Sequence, residues 1–112
     1  MLIFLPDVDK TKLDQELLVK LDQTSALAEF DLVITSGFRP GVDGVDHGIK
    51  NGPHMTGKAA DIRCNDSISR YKLINAAFKA GFLRIGIGSA DQPHVHLDVC
   101  PAPSPQVVLW LE

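Results

Sequence analysis

Between residues 94 and 99 the chain reads His94-Val95-His96-Leu97-Asp98-Val99. In a strand, alternate side chains point to opposite faces, so Val95, Leu97 and Val99 would face a core while His94, His96 and Asp98 line up on the other side. Three groups able to bind a metal or move a proton then share one open face, although H-x-H-x-D alone fits a plain polar face equally well. Upstream lies His54-Met55-Thr56-Gly57-Lys58-Ala59-Ala60-Asp61, a histidine seven residues before a carboxylate. Both are good donors for a divalent metal. Catalytic zinc typically takes three protein donors and leaves a fourth position for water, and a His, Asp, His set drawn from the two segments satisfies that pattern. The small residues Gly57, Ala59 and Ala60 allow close approach of backbones. A third segment, Ile34-Thr35-Ser36-Gly37-Phe38-Arg39-Pro40, releases an arginine at the end of a strand. Its guanidinium is either a solvated surface group or a clamp for a substrate carboxylate or a developing oxyanion.

These residues need elements to hold them. From Lys10 to about Ala28, Leu13, Leu17, Leu18 and Leu21 recur at helical spacing among polar residues, which predicts an amphipathic helix. Phe30–Thr35 reads as a strand ended by Ser36-Gly37. Residues 37–57 hold six of the nine glycines and two of the seven prolines. A loop this long without apolar periodicity needs a functional reason, and carrying Arg39 and His54 to one cleft supplies it. Ala59–Cys64 is a second strand. Asp66 or Ser67 can cap a helix whose Ile68, Tyr71, Ile74, Phe78 and Phe82 are expected in the core. Leu83–Ile87 and His94–Cys100 form an antiparallel pair around the turn Gly88–Pro93, and Val107–Leu111 makes a last strand after three prolines. The order predicts a small α+β domain with a mainly antiparallel sheet and two helices.

Composition narrows the function classes. The chain has 112 residues, enough for one domain, with 45% hydrophobic and 22% charged residues. A net charge of −3 argues against a binder that relies on the phosphate backbone of nucleic acid. The N-terminal MLIFL is too short and lacks the basic leader of an export signal, and no apolar run is long enough to span a membrane. The expectation is a protein that stays in the cytoplasm where it is made. Two cysteines, Cys64 and Cys100, are too few for a disulfide scaffold. Buried free thiols are the plainer reading of both than a rival ligand set. Asp43, Asp46 and His47 crowd the long loop, where a solvated substrate-binding segment is a simpler account than a second metal or calcium site. Trp110 is expected to plug the core or an edge.

Taken together, S-G-F-R-P, H-x-x-G-x-A-x-D at 54–61, R-I-G-I, V-H-L-D-V and the terminal V-L-W resemble the zinc peptidases of the M15 type. These include D-Ala-D-Ala carboxypeptidases and short phage L-alanyl-D-glutamate endopeptidases, which cut peptidoglycan stem peptides. The resemblance runs from about Leu13 to Trp110. It implies a hedgehog/DD-peptidase-like fold, one catalytic domain over 1–112, and zinc held by His54, Asp61 and His96. It also implies that Arg39 and His94 stabilise the transition state. Pro93 stands where carboxypeptidase members carry an acid three residues before the last zinc histidine, so the nearest acid, Asp91, is the expected base. With His94 as the third ligand instead, Asp91 would keep the three-residue spacing, but V-H-L-D-V matches His96 better. Pro53 replaces a common serine before the first zinc histidine. Asp98 is expected to orient an imidazole. The resemblance further implies a monomeric, phage-type endolysin that reaches the wall after release or as part of a virion. A noncatalytic zinc-stabilised binding module of the same fold is the alternative.

Overall fold

Leu17 and Leu21 fall on one side of a helix and are buried, as is Leu13 just ahead of it, with Leu18 packed against them. The helix is shorter than its apolar spacing suggests: Lys10–Lys12 is a 3-10 turn and α1 spans Gln15–Ala28. Asp14 sets that start, because its Oδ2 accepts from the Glu16 amide at 3.0 Å and occupies one of the donors a helix N-terminus leaves open. The second helix, α2, spans Ser67–Lys79, with Asp66 accepting from the Ser69 amide at 2.8 Å.

The computed structural model describes residues 1–39, 45–46, 49–50 and 52–112. Its strands are β1 (Leu2–Phe4), β2 (Leu32–Ser36), β3 (Val45–Asp46), β4 (Ile49–Lys50), β5 (Ala59–Arg63), β6 (Arg84–Ile87), β7 (His94–Asp98) and β8 (Val108–Leu111). Six of them form one sheet in the order β1-β2-β5-β7-β6-β8, while β3 and β4 pair antiparallel inside the stretch expected to be structureless. Asp43 and His47 lie outside the described residues, and of Asp46 only the backbone is described.

The α+β class and the two helices stand as expected, but the sheet is mixed. Its three central pairings are antiparallel, whereas β1 runs parallel to β2 and β8 parallel to β6. Both exceptions follow from chain direction. Helix α1 intervenes between β1 and β2, and a crossover returns the chain in its original direction. Strand β7 ends beside the start of β6, with Asp98 opposite Arg84, so a chain resuming there runs along β6 in the same sense.

One sheet face carries Ile34, Ala60, Ile62, Ile85, Val95 and Leu97 and packs on both helices, forming the core with Leu17, Leu21, Leu73 and Ala77. Of the residues expected in the core along α2, Ile74 packs against that core and Phe82 is buried, but Ile68, Tyr71 and Phe78 turn outward. Leu73, Ala76 and Ala77 face inward, and Phe82 is buried just beyond the helix, while Ile68 and Tyr71 are 72% and 74% exposed and Phe78 is 52% exposed. The helix carries two apolar rows. Close packing of α2 against α1 selects the one with alanines, because the smaller side chains let the axes approach. No described helix is long and apolar enough to cross a membrane.

Candidate metal centre

The other sheet face assembles the chemistry, and strand register does the assembling. Asp61 on β5 lies directly opposite His96 on β7, which lies opposite Gly86 on β6, which lies opposite Trp110 on β8. The neighbouring row is Ala59, Asp98, Arg84 and Val108. Alternation along β7 therefore places Val95 and Leu97 in the core and His94, His96 and Asp98 on the opposite face, as the sequence predicts.

That face is not open, however. His96 and Asp98 are 0% and 1% exposed. Gly86 makes the cover possible: a Cβ there would sit 2.7 Å from the Trp110 ring, so the absent side chain lets the indole cross the sheet to within 5.2 Å of the His96 ring centroid. Trp110 is thus an edge plug over the site.

His54 arrives from the end of the long loop. Its Nδ1 lies 2.8 Å from the Gly37 carbonyl, and its own carbonyl accepts from the Arg39 amide at 2.9 Å. The S-G-F-R segment after β2 thereby clamps the histidine twice. Gly57 fixes the loop exit at φ +74°, where a Cβ would lie 2.2 Å from the Lys12 carbonyl oxygen, and its own carbonyl accepts from the Asp14 amide at 2.8 Å. Only glycine satisfies both the left-handed backbone and the close approach.

His54, Asp61 and His96 converge, with one donor atom from each lying within 4.8 Å of the others. His54 Nε2 and His96 Nδ1 are each 3.3 Å from Asp61 Oδ1. Donor bonds of about 2.1 Å at tetrahedral angles separate donor atoms by about 3.4 Å, so the spacing suits a small divalent ion. The outer ring nitrogens are already committed. A carbonyl can only accept, so His54 Nδ1 carries the proton given to Gly37, which directs Nε2 inward. His96 Nε2 donates to Asp98 Oδ2 at 2.6 Å, which directs Nδ1 inward. An imidazole tied from behind by a carbonyl or a carboxylate is the usual arrangement of a metal-ligating histidine. The three residues fit a metal ion.

Without an ion, a proton on His96 lies between the two carboxylates of Asp61 and Asp98. Burial by itself pushes the Asp61 carboxyl up, but hydrogen bonds and charge from His54 and His96 overcome it and hold it well below the usual carboxylate range. Burial pushes His96 down, yet Asp61 and Asp98 together raise it from 6.5 to about 9. Asp98, disfavoured as an anion by burial, is kept low by His96, the Cys100 amide and Arg84. A pH dependence follows. His96 contributes stability that is fully present below its unfolded pKa of about 6.5 and is lost as pH rises through the folded value. Asp61 contributes above its unfolded pKa of about 3.9 and loses that contribution as pH falls. The metal-free protein is expected to melt highest between about pH 4 and 6.5 and to weaken toward about pH 9. A bound metal should reverse the alkaline limb, since its donors must be deprotonated. Thermal melts in chelator that stay flat or rise above about pH 6.5 would contradict this proton arrangement.

Around the triplet, Arg39 Nη2 lies 4.0 Å from Asp61 Oδ2 with its side chain 53% exposed, and His94 Nε2 lies 3.9 Å from Asp61 Oδ1. Arg39 and His94 therefore flank the cluster. Asp91 is exposed in the turn between β6 and β7, and among the described residues no hydrogen bond or ion pair joins it to the cluster. The carboxylate that stands there is Glu112, with Oε1 2.6 Å from His94 Nε2 and Oε2 4.0 Å from His96 Nδ1. Sequence reasoning missed Glu112, although alternation along β8 puts it on the face of Trp110. It also missed Arg84, buried with its Nε 2.6 Å from Asp98 Oδ1. Cys64 and Cys100 are buried free thiols outside the triplet, and burial pushes the Cys64 thiol up.

Three inward donors with anchored imidazoles, an arginine and a His–Glu pair make the centre of a metal-dependent hydrolase the class this site fits. Residues 6–98 match the Peptidase M15 family, and the chain belongs to it. Membership supports a peptidase function of the metallopeptidase kind. No curated protein matches the chain.

Proposed function

We propose that this protein is a zinc peptidase of hedgehog/DD-peptidase-like fold that hydrolyses an amide bond in peptidoglycan stem peptides, as a phage-type endolysin does. One observation carries the reading: His54, Asp61 and His96, with the two imidazoles tied from behind, in a chain of the Peptidase M15 family. These three residues would hold the zinc, which when bound polarises the scissile carbonyl and acidifies the attacking water. Arg39, half exposed at the rim, pairs with a substrate carboxylate or with the charge developing on the carbonyl oxygen. Stem peptides are rich in carboxylates, which suits this guanidinium.

Two carboxylates are candidates for taking a proton from the water. Asp91 is the one its sequence position suggests, and Glu112 is the one already beside the cluster. We assign the role to Glu112, whose Oε2 accepts the proton while Oε1 stays paired with His94 Nε2. His94 donates from Nδ1 to the Gln92 carbonyl at 2.7 Å, which fixes the ring toward Glu112. The chain acts as a monomeric catalytic domain that reaches the wall after release or in a virion.

Digestion of purified peptidoglycan, followed by mass spectrometry of the fragments, tests the reading. Cleaved stem peptides that disappear with excess chelator and return with zinc are expected. Full cleavage in chelator would overturn the metal role, and unaltered stem peptides would overturn the substrate. Binding of zinc without any cleavage would favour a noncatalytic module.

A further inference from the structure

Arg84 is a charged side chain in a place that charges avoid. It is 3% exposed, on a strand whose next residue, Ile85, belongs to the core. Removing a guanidinium and a carboxylate from water costs more than their attraction returns unless geometry and hydrogen bonding are good, so a buried pair calls for a reason beyond stability. Arg84 has the geometry. Its Nε donates to Asp98 Oδ1 at 2.6 Å, its Nη1 donates to the Pro105 carbonyl, and its guanidinium lies 5.4 Å from the Trp110 ring centroid.

What the pair does is set by the next bond. Asp98 Oδ1 is taken by Arg84 and by the Cys100 amide at 3.0 Å, which leaves Oδ2 to receive His96 Nε2–H at 2.6 Å. The carboxylate cannot rotate without giving up both donors. His96 is consequently held in the tautomer that presents Nδ1 to Asp61 and His54. Arg84 also lies directly across from Asp98 in the strand register, so the backbone fixes their approach.

We propose that Arg84 is a positioning residue of the metal centre, acting through Asp98 to commit His96 Nδ1 to the ion. This rests on the reading that His54, Asp61 and His96 hold a divalent metal. Pro105 and Trp110 are held by the same guanidinium, so one buried cation locks the loop over 99–107 and the covering indole to the donor set.

The test is a double-mutant cycle on metal affinity, read by competition of Zn²⁺ with a chromogenic chelator and by the visible spectrum of the Co²⁺-loaded protein. Arg84→Gln and Asp98→Asn should each weaken Zn²⁺ binding by about 10- to 100-fold, the range seen when the partner of a ligating histidine is lost. The combined variant should be no weaker than Asp98→Asn alone, and the Co²⁺ spectrum should change in all three. Arg84→Lys, which keeps a cationic donor for Asp98 while giving up Pro105 and the indole contact, should recover most of the affinity. It also serves where Arg84→Gln fails to fold. Wild-type affinity in Arg84→Gln, additive losses in the double variant, or an Arg84→Lys protein that folds but binds Zn²⁺ no better than Arg84→Gln or Asp98→Asn would overturn the proposal. Failure of the wild type to bind Zn²⁺, or wild-type affinity in Asp61→Asn, would instead overturn the metal reading beneath it.

Discussion

Asp61→Asn is expected to abolish tight metal binding and to lower peptide hydrolysis by on the order of 10³-fold or more. The Asp61 carboxylate is the shared neighbour of both inward imidazole nitrogens, at 3.3 Å from each. An amide is nearly the same size but brings no charge, so the donor set would lose its only anion. A metal in such a site supplies several kcal/mol of charge stabilisation to the transition state, and each 1.36 kcal/mol is about tenfold in rate. The metal-free protein should also change, because His96 loses one of the two carboxylates that hold it at about 9. Its melting temperature should then fall less between about pH 6.5 and 9 than that of the wild type. Metal content by elemental analysis and hydrolysis rate check the first effect. A variant that retains stoichiometric metal and near-wild-type turnover would remove Asp61 from the ligand set.

Glu112→Gln should lower kcat by about 10²- to 10⁴-fold, the usual contribution of a positioned general base, while leaving metal content unchanged. The separation between the two readouts matters, since Glu112 touches His94 closely but reaches only 4.0 Å from His96. Glutamine keeps the reach and can still meet His94, so the lost feature is the proton acceptor. Asp91→Ala is the paired measurement. The exposed turn position of Asp91 predicts turnover within a few-fold of wild type, whereas its place in the sequence predicts a dead enzyme with zinc intact. Full loss in Asp91→Ala together with wild-type activity in Glu112→Gln would return the base to the turn.

Much of this centre could be read in the chain. The alternation in His94-Val95-His96-Leu97-Asp98 sorts core from site correctly, because side-chain direction in a strand is a local property of the backbone. The glycine-rich stretch does deliver Arg39 and His54 to one place. Gly57 marks a left-handed position beside the start of α1. Helix α2 shows the limit. Its larger row of Ile68, Tyr71 and Phe78 suggested burial, but the alanine row is inside, since packing distance between helices outweighs the hydrophobicity of either face.

The types of the candidate donor residues, their sheet face and the succession of α1, β2, β5, α2, β6, β7 and β8 were thus determined by the sequence, through alternation and helical spacing that depend on near neighbours. Strands β1, β3 and β4 carried no such signal. Which strands lie side by side was decided only in the folded chain. The parallel return of β8 beside β6 sets Trp110 over His96 and Glu112 beside His94, and the β6–β7 register sets Arg84 against Asp98. Those contacts join residues distant in the chain, and no local pattern encodes them. For β5, β6 and β7 they arise because the apolar faces must meet one core, which fixes register and leaves the polar residues opposite one another on the far side. Strand β8, with Leu109 and Leu111 exposed, instead takes its register from pairing with β6.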